Sequence, residues 1–481
     1  MSSCTEWCKM SQKNKMQTNA LLGGLVTLAL GGIYVGSSIF NIHLRLQGWT
    51  SGQSDAMILL VVNLFFVGTI IGSFISAFLV DRIEKLTLSR FYFAGMGVAS
   101  VLQAVLPRSI IAIGFARLLA GTAHGMAYVI VLIHGGEVLV KELRGITMAA
   151  VNYILFLGIL SDGLISPIVL YNSNVQPARI VGIAGAMSVL FAVAVGQFMS
   201  YESPVFLIRK DRDAEAVRSL MKLRLESTET IEVRQAFVDI KVMLREDSCT
   251  SNSIVADGNW RPLAWICLGK VAATLSFNAA VNLVRLTFID DIFYIEVYSL
   301  SGLVILGMRA LFGIVFIYTV DKYGRKKQQA LSALFSGAVL SFMGIVFLIV
   351  ESIDRYAVFA VFLVYDMFAC AGVTLVPDVH LSEAFPTTKK SFSVATVLTV
   401  ESLTHVLILS IGSLSWDYTD YDFYGIILLT CGLPMMTIAA FLYLMIPETA
   451  KLSLRQSRAA FAQNDAIYET ERQPSESSGS C

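Results

Sequence analysis

The chain has 481 residues, of which 55% are hydrophobic and only 15% charged, with 36 basic side chains against 36 acidic ones. Soluble globular domains carry about 25% charged residues, so this composition and a mean hydropathy of +0.67 exclude an ordinary soluble fold and point to the membrane. The zero net charge is uninformative about partners, and no nucleic acid is expected among them.

In chain order, residues 1–19 form a basic tail containing Lys9, Lys13 and Lys15. Runs of about 20 apolar residues, long enough to cross a hydrocarbon core of about 30 Å as helices, then predict twelve spans. They lie near 20–40, 57–80, 90–106, 109–133, 146–171, 179–200, 262–288, 300–320, 329–350, 356–376, 392–413 and 423–446. The first run is too long for a signal peptide and lacks a small-x-small cleavage site, so it is read as a retained span. An even number of spans puts both termini on one side. With the termini inside, inner segments hold 28 of the 36 Lys/Arg and outer loops hold 4; without the long 201–261 segment the contrast is still 18 to 4. Cytoplasmic termini are therefore expected, in a multi-pass protein of the plasma membrane.

Residues 201–261 are polar, and "DAEAVRSLMKLR" and "TIEVRQAFVDIKVMLRED" repeat apolar residues at helical spacing. They predict surface helices, with "DSCTSNSIVADGN" as a flexible joint. The segment 447–481 is a tail that ends in the disordered "ERQPSESSGSC". Seven scattered cysteines form neither a disulfide framework nor a zinc spacing, and Cys4 and Cys8 read as free thiols. No Asn-x-Ser/Thr sequon, phosphate-cradling glycine loop or catalytic triad occurs. No enzyme activity, cofactor or metal is expected.

The apolar run ending in "DKYGRKK" at Asp321 has a worn copy at Asp81, 240 residues earlier. Glu137 and Arg144 stand seven apart, as do Glu383 and Lys390, and the pairs are offset by 246. Glu202 in "YESP" and Glu448 in "IPETA" share that offset. Features recurring in order at nearly one spacing indicate two structural repeats: a six-helix bundle at 20–200, a linker at 201–261 and a second six-helix bundle at 262–446. The fold class is an all-α integral membrane protein.

These motifs carry a family resemblance over about 20–450. "DKYGRKK" with Asp321, Gly324, Arg325 and Lys326, "R-x3-G-x3-G" at Arg117, Gly121 and Gly125, Glu137 with Arg144-Gly145, "SEAFP", "ESP" and "PET" resemble the sugar porter branch of the major facilitator superfamily. That branch includes facilitative glucose transporters and insect trehalose transporters. The resemblance implies that Asp81, Arg82, Glu137, Arg144, Glu202, Asp321, Arg325, Glu383, Lys390 and Glu448 form a gate of ion pairs at the cytoplasmic span ends. Half-exposed pairs contribute about 0.5–1 kcal/mol each, enough together to bias two conformations without freezing one. Glu84 and Leu86 depart from the family pattern, so the first-half gate is expected to be the weaker. Gly121 and Gly125 are expected to pack closely against another helix. Pro167, Pro377 and Pro434 are candidate helix breaks, Pro377 the functional one.

At the sugar-contacting positions the pattern changes. Asn152 stands where the family places a Gln, and "AATLSFNAAVN" keeps Asn278 and ends on Asn282 but has Ala272 and Ala273 for two glutamines. The expected Trp after the span-ten Pro is Asp378, and amides in spans eight and eleven fall at Arg309 and Glu401. Asn152, Asn278, Asn282, Arg309, Asp378 and Glu401 are the candidate solute contacts. Ionisable residues in mid-span are costly. Lys270 and Arg285 read as snorkelling to water, and Glu401 with His405, one turn apart, as a structural or proton-linked pair. Neutral amides suit polyols, whereas a charged set suits a charged solute. The leading expectation is a transporter of a small polar solute, most of all a hexose or trehalose, working by alternating access. The alternatives are a carrier of a charged or zwitterionic solute, with or without proton coupling, and a sensor or scaffold that keeps the fold without transporting.

Overall fold

The computed structural model describes residues 11–39, 48–170, 176–249, 259–289, 299–350, 353–413 and 421–462. The side chain of Pro167, the joint at 250–258, Cys4, Cys8, Cys481 and the tail beyond 462 lie outside them. The described elements are all helical. In order, the spans are Leu22–Ile39, Asp55–Leu79, Lys85–Val105, Ile110–Val138, Lys141–Leu170 and Pro177–Met199, then a seventh in two pieces (Trp260–Ser276, Ala279–Ile289) and Ser299–Ile317. Arg325–Ile349 is the ninth. The tenth is again in two pieces (Arg355–Ala371, Val376–Glu383), and Thr387–Ser413 and Tyr421–Met445 complete the set.

Ten of these are long and apolar enough to cross a membrane, and span eight contributes the shorter apolar helix Leu306–Ile317. The remaining one, span three, is more polar because Lys85, Ser89, Arg90 and Gln103 interrupt it. Backbone groups inside a bilayer must be satisfied within the chain, which is why helices make all the crossings. Ser54, Ser109 and Asp354 cap the starts of spans two, four and ten by accepting the backbone N–H three residues on. Exposed Phe115, Leu190, Phe198, Phe342 and Leu444 give the bundle an apolar exterior.

Small residues decide how closely the helices approach. A Cβ on Gly121 would lie 2.0 Å from the Phe65 carbonyl oxygen and one on Gly125 2.2 Å from that of Thr69, so spans two and four pack backbone to backbone. Pro434 is accommodated inside span twelve. Span ten, by contrast, opens at 372–375 and restarts with Pro377 in its first turn. Pro lacks the donor and clashes with the preceding turn. Span seven breaks beside Phe277, and Asn278 repairs the break: its Oδ1 accepts the Val281 N–H at 3.0 Å, and its Nδ2 donates to the Leu275 carbonyl at 2.8 Å.

The two sets of six helices touch along span two with span eleven and span five with span eight, leaving space between them at mid-depth. Outside the spans, on the side that carries both termini, lie helices Pro204–Arg209, Asp213–Leu223, Ile231–Cys249 and Leu454–Phe461. Phe206, Leu207, Ile208 and Ala216 form their own small core with Phe237, Ile240 and Leu244. The linker is also tied to the second half. Asp247 accepts the Thr387 N–H at 3.0 Å and its hydroxyl at 2.6 Å, capping span eleven, and takes Arg458 Nη1 at 2.8 Å.

Candidate functional site

On the terminal side a buried charge cluster joins the halves. Glu383, at the end of span ten, accepts Arg325 Nη1 at 2.6 Å and, from the other half, Arg144 Nη1 at 3.3 Å. Arg325 also donates to Asp321 Oδ1 from Nε at 3.0 Å. Asp321 in turn sits against the first half, since a Cβ on Gly145 would fall 2.0 Å from its Oδ2. Burial holds the Asp321 carboxyl above the usual aspartate range, against the opposing pull of the Arg325 guanidinium. The Arg-Gly motif thus supplies a cation for Glu383 and a bare backbone for Asp321.

The repeat is visible atom by atom. Glu448 accepts the backbone N–H of Arg325 at 3.0 Å and that of Lys326 at 3.3 Å, while Glu202 accepts that of Leu86 at 3.3 Å. Each carboxylate caps the start of a helix, where the dipole favours negative charge. Lys85 pairs with Glu137 at 2.8 Å as Arg325 pairs with Glu383. Asp81 accepts the hydroxyl of Ser391 across the interface at 3.3 Å, and Ser391 is the repeat counterpart of Gly145.

The symmetry fails in two places. Lys390, counterpart of Arg144, is buried with its ammonium lodged 2.3 Å from where a Gly136 Cβ would be, and it has no hydrogen-bond partner among the described residues. It does not pair with Glu383. Arg82 is exposed and forms no ion pair among the described residues; the cation of the first half is Lys85, which the 240-residue offset from Arg325 would have identified. Asp81 and Glu84 are instead held by the linker, through Arg209 at 2.5 Å and Arg212 at 2.6 Å. The first half therefore lacks a cross-half ion pair to match Arg144 with Glu383.

Gly145→Ala tests the close approach. The added methyl would displace the Asp321 carboxylate, an overpacking cost of about 1–3 kcal/mol charged to this closed arrangement. A cysteine at Ser382, fully buried here, should become labelled faster by a thiol reagent in that background.

At mid-depth the charged residues form two further clusters, and both correct expectations. Lys270 does not reach water. It is fully buried, 2.7 Å from Asp378 and 3.1 Å from Glu401, and donates to Tyr128 Oη at 3.1 Å. Tyr128, from the first half, donates to Asp378 Oδ2 at 2.7 Å. Glu401 is thus paired with Lys270, and His405 stacks on Phe66 with ring centroids 5.0 Å apart. Arg285 is also fully buried, paired with Asp366, which accepts Arg309 Nη1 as well at 3.3 Å. Tyr128 carries no sequence signal; it is one of 17 tyrosines, set in an apolar run.

A cavity of about 60 Å³ lies between the halves, lined among others by Asn152, Thr274, Phe277, Arg309, Glu401 and His405. Of the candidate contacts, Asn152, Arg309 and Glu401 line it. Asp378 lies beyond it, enclosed by Lys270 and Tyr128. Asn278 and Asn282 are fully buried and spend their amides on span seven, Asn282 donating to the Asn278 carbonyl at 2.8 Å and accepting from Arg285 at 3.2 Å.

Comparison with known proteins places this architecture. The family model described as "Sugar (and other) transporter" matches residues 7–461. Sugar transporter ERD6-like 17 of Arabidopsis thaliana is 23% identical over 361 residues, 73% of this chain and 72% of that protein. The putative metabolite transport protein YwtG of Bacillus subtilis is 27% identical over 315 residues, 63% and 64% of the two chains. Among solved structures, the major facilitator superfamily proton:xylose symporter XylE bound to 6-bromo-6-deoxy-D-glucose superposes with a TM-score of 0.79 at 17% identity, covering 94% of this chain and 100% of that one. The inward open conformation of XylE from E. coli gives a TM-score of 0.64, covering 92% and 99%. The chain is a multi-pass membrane protein with the major facilitator fold, and it belongs to the sugar (and other) transporter family.

Proposed function

We propose that the protein carries a sugar across a membrane by alternating access of its two six-helix halves, joined by the linker at 201–261. The supporting observation is the Arg144–Glu383–Arg325 chain of ion pairs, which ties the halves together on the terminal side beneath a central cavity lined by polar groups of both. The Lys/Arg distribution supports a cytoplasmic terminal side, and we infer the plasma membrane as the site of transport. The cluster of Glu137, Arg144, Glu202, Asp321, Arg325, Glu383 and Glu448, with Lys85, is then the inner gate, shut here. The relatives' named roles in sugar and metabolite transport support the solute class.

The test is uptake of labelled glucose and trehalose into proteoliposomes holding the purified full chain, with and without an inward proton gradient. Saturable uptake of either is the expected result. Absence of uptake for both, with the protein folded, would overturn the reading.

A further inference from the structure

The two mid-depth clusters do not balance their own charges. Among the described residues, Arg285 and Arg309 share one carboxylate, that of Asp366, a surplus of one positive charge, and Asp378 and Glu401 share one ammonium, that of Lys270, a surplus of one negative charge. Each surplus reaches the cavity through one residue, Arg309 on one side and Glu401 on the other. They are not equivalent. Glu401 already has Lys270 at 3.1 Å. Arg309 uses Nη1 for Asp366 and the Ser276 carbonyl, but its Nη2 is buried and has no hydrogen-bond partner among the described residues.

A buried cationic donor with nothing to donate to is costly, and this one belongs to the cluster with uncancelled positive charge. Phe277 stacks on its guanidinium at 4.5 Å and Phe156 at 5.7 Å, and both rings line the same cavity. They flank the guanidinium and hold its plane at the cavity wall. An anionic group is the ligand that completes such a fork.

Resting on the transport reading above, we propose that the solute is a monosaccharide-class polyol bearing one anionic group, which Arg309 binds at Nη2 while Asn152 and Glu401 take hydroxyls. At the Arg309 cluster the charge match favours a carboxylate, because one negative charge cancels the surplus of one there, while the opposite surplus stays beside Lys270 and is left to hydroxyl donors. A phosphate ester, carrying nearly two, would leave the cluster negative.

The experiment measures binding and uptake separately on the purified full chain in proteoliposomes. Glucose, glucuronate, glucosamine and glucose 6-phosphate are compared by ligand-induced thermal shift and by competition for uptake. Glucuronate is expected to bind at least about tenfold more tightly than glucose, a difference of about 1.4 kcal/mol. Arg309→Gln is expected to erase that difference. It should still fold, since Arg285 and Asp366 remain a one-to-one pair; Arg309→Lys, which keeps the charge and loses the fork, should retain part of the preference. Equal binding of glucose and glucuronate, or a preference for glucosamine, would overturn the proposal. A preference for glucose 6-phosphate would overturn the carboxylate and keep an anion at Arg309. Saturable glucose uptake with no glucuronate preference would sink this inference and leave the transport reading standing. Arg309-dependent glucuronate binding without uptake of any sugar would do the reverse.

Discussion

Glu383→Ala is expected to abolish the closed terminal side while leaving the protein in the membrane. Glu383 is fully buried and is the shared acceptor of Arg144 and Arg325. Without it Arg325 keeps Asp321 at 2.9 Å, but Arg144 keeps only the Leu139 carbonyl at 3.1 Å. Removing one partner of a buried pair costs about 3–5 kcal/mol because the other charge is stranded. Since the pair exists only when the halves meet, that cost falls on the closed state and shifts the equilibrium by a factor of about a hundred to a few thousand. Faster labelling of a cysteine at Ser382 would report the opening; an unchanged rate would show that the cluster does not hold the halves together. A double-mutant cycle between Arg144→Met and Glu383→Met should return a coupling of about 1–3 kcal/mol. Exchanging Glu383 with Lys390 should not rescue function, because Lys390 is not the partner of Glu383 and a lysine at 383 would face both arginines.

Lys270→Met is expected to be the most damaging single change at mid-depth. It would leave Asp378 and Glu401, two carboxylates of one buried cluster, with no cation and only the Tyr128 hydroxyl as a donor. A loss of about 3–5 kcal/mol is expected, read as a fall in melting temperature in detergent. Asp378→Asn should cost much less, since Lys270 and Glu401 would then balance one to one. Combining Lys270→Met with Asp378→Leu should recover most of the loss. If Asp378→Asn proves as harmful as Lys270→Met, the charge accounting for this cluster is wrong.

The buried ion-pair cluster on the terminal side was largely legible because its residues are repeated. Offsets of 240 and 246 pick out Asp321, Glu137, Glu383, Glu202 and Glu448 before any coordinates are considered. The same offset read from Arg325 leads to Lys85, whereas reading Arg82 as the cation relied on adjacency to Asp81. Asp247 was not legible, because it lies in a linker without a repeat and its partners Thr387 and Arg458 are more than a hundred residues away. The central site was the least legible. Amide positions carried over along the chain gave Asn278 and Asn282, but the break in span seven consumes both.

What the sequence determined by itself is the class of molecule: apolar runs of spanning length, an even count, one-sided Lys/Arg and an internal repeat are all one-dimensional signals. Which charge faces which was decided only by the tertiary structure. Whether Lys270 snorkels or pairs depends on Asp378 from span ten, Glu401 from span eleven and Tyr128 from the other half arriving at one point. In a low-dielectric interior that arrival is what makes an ionised side chain tolerable there at all.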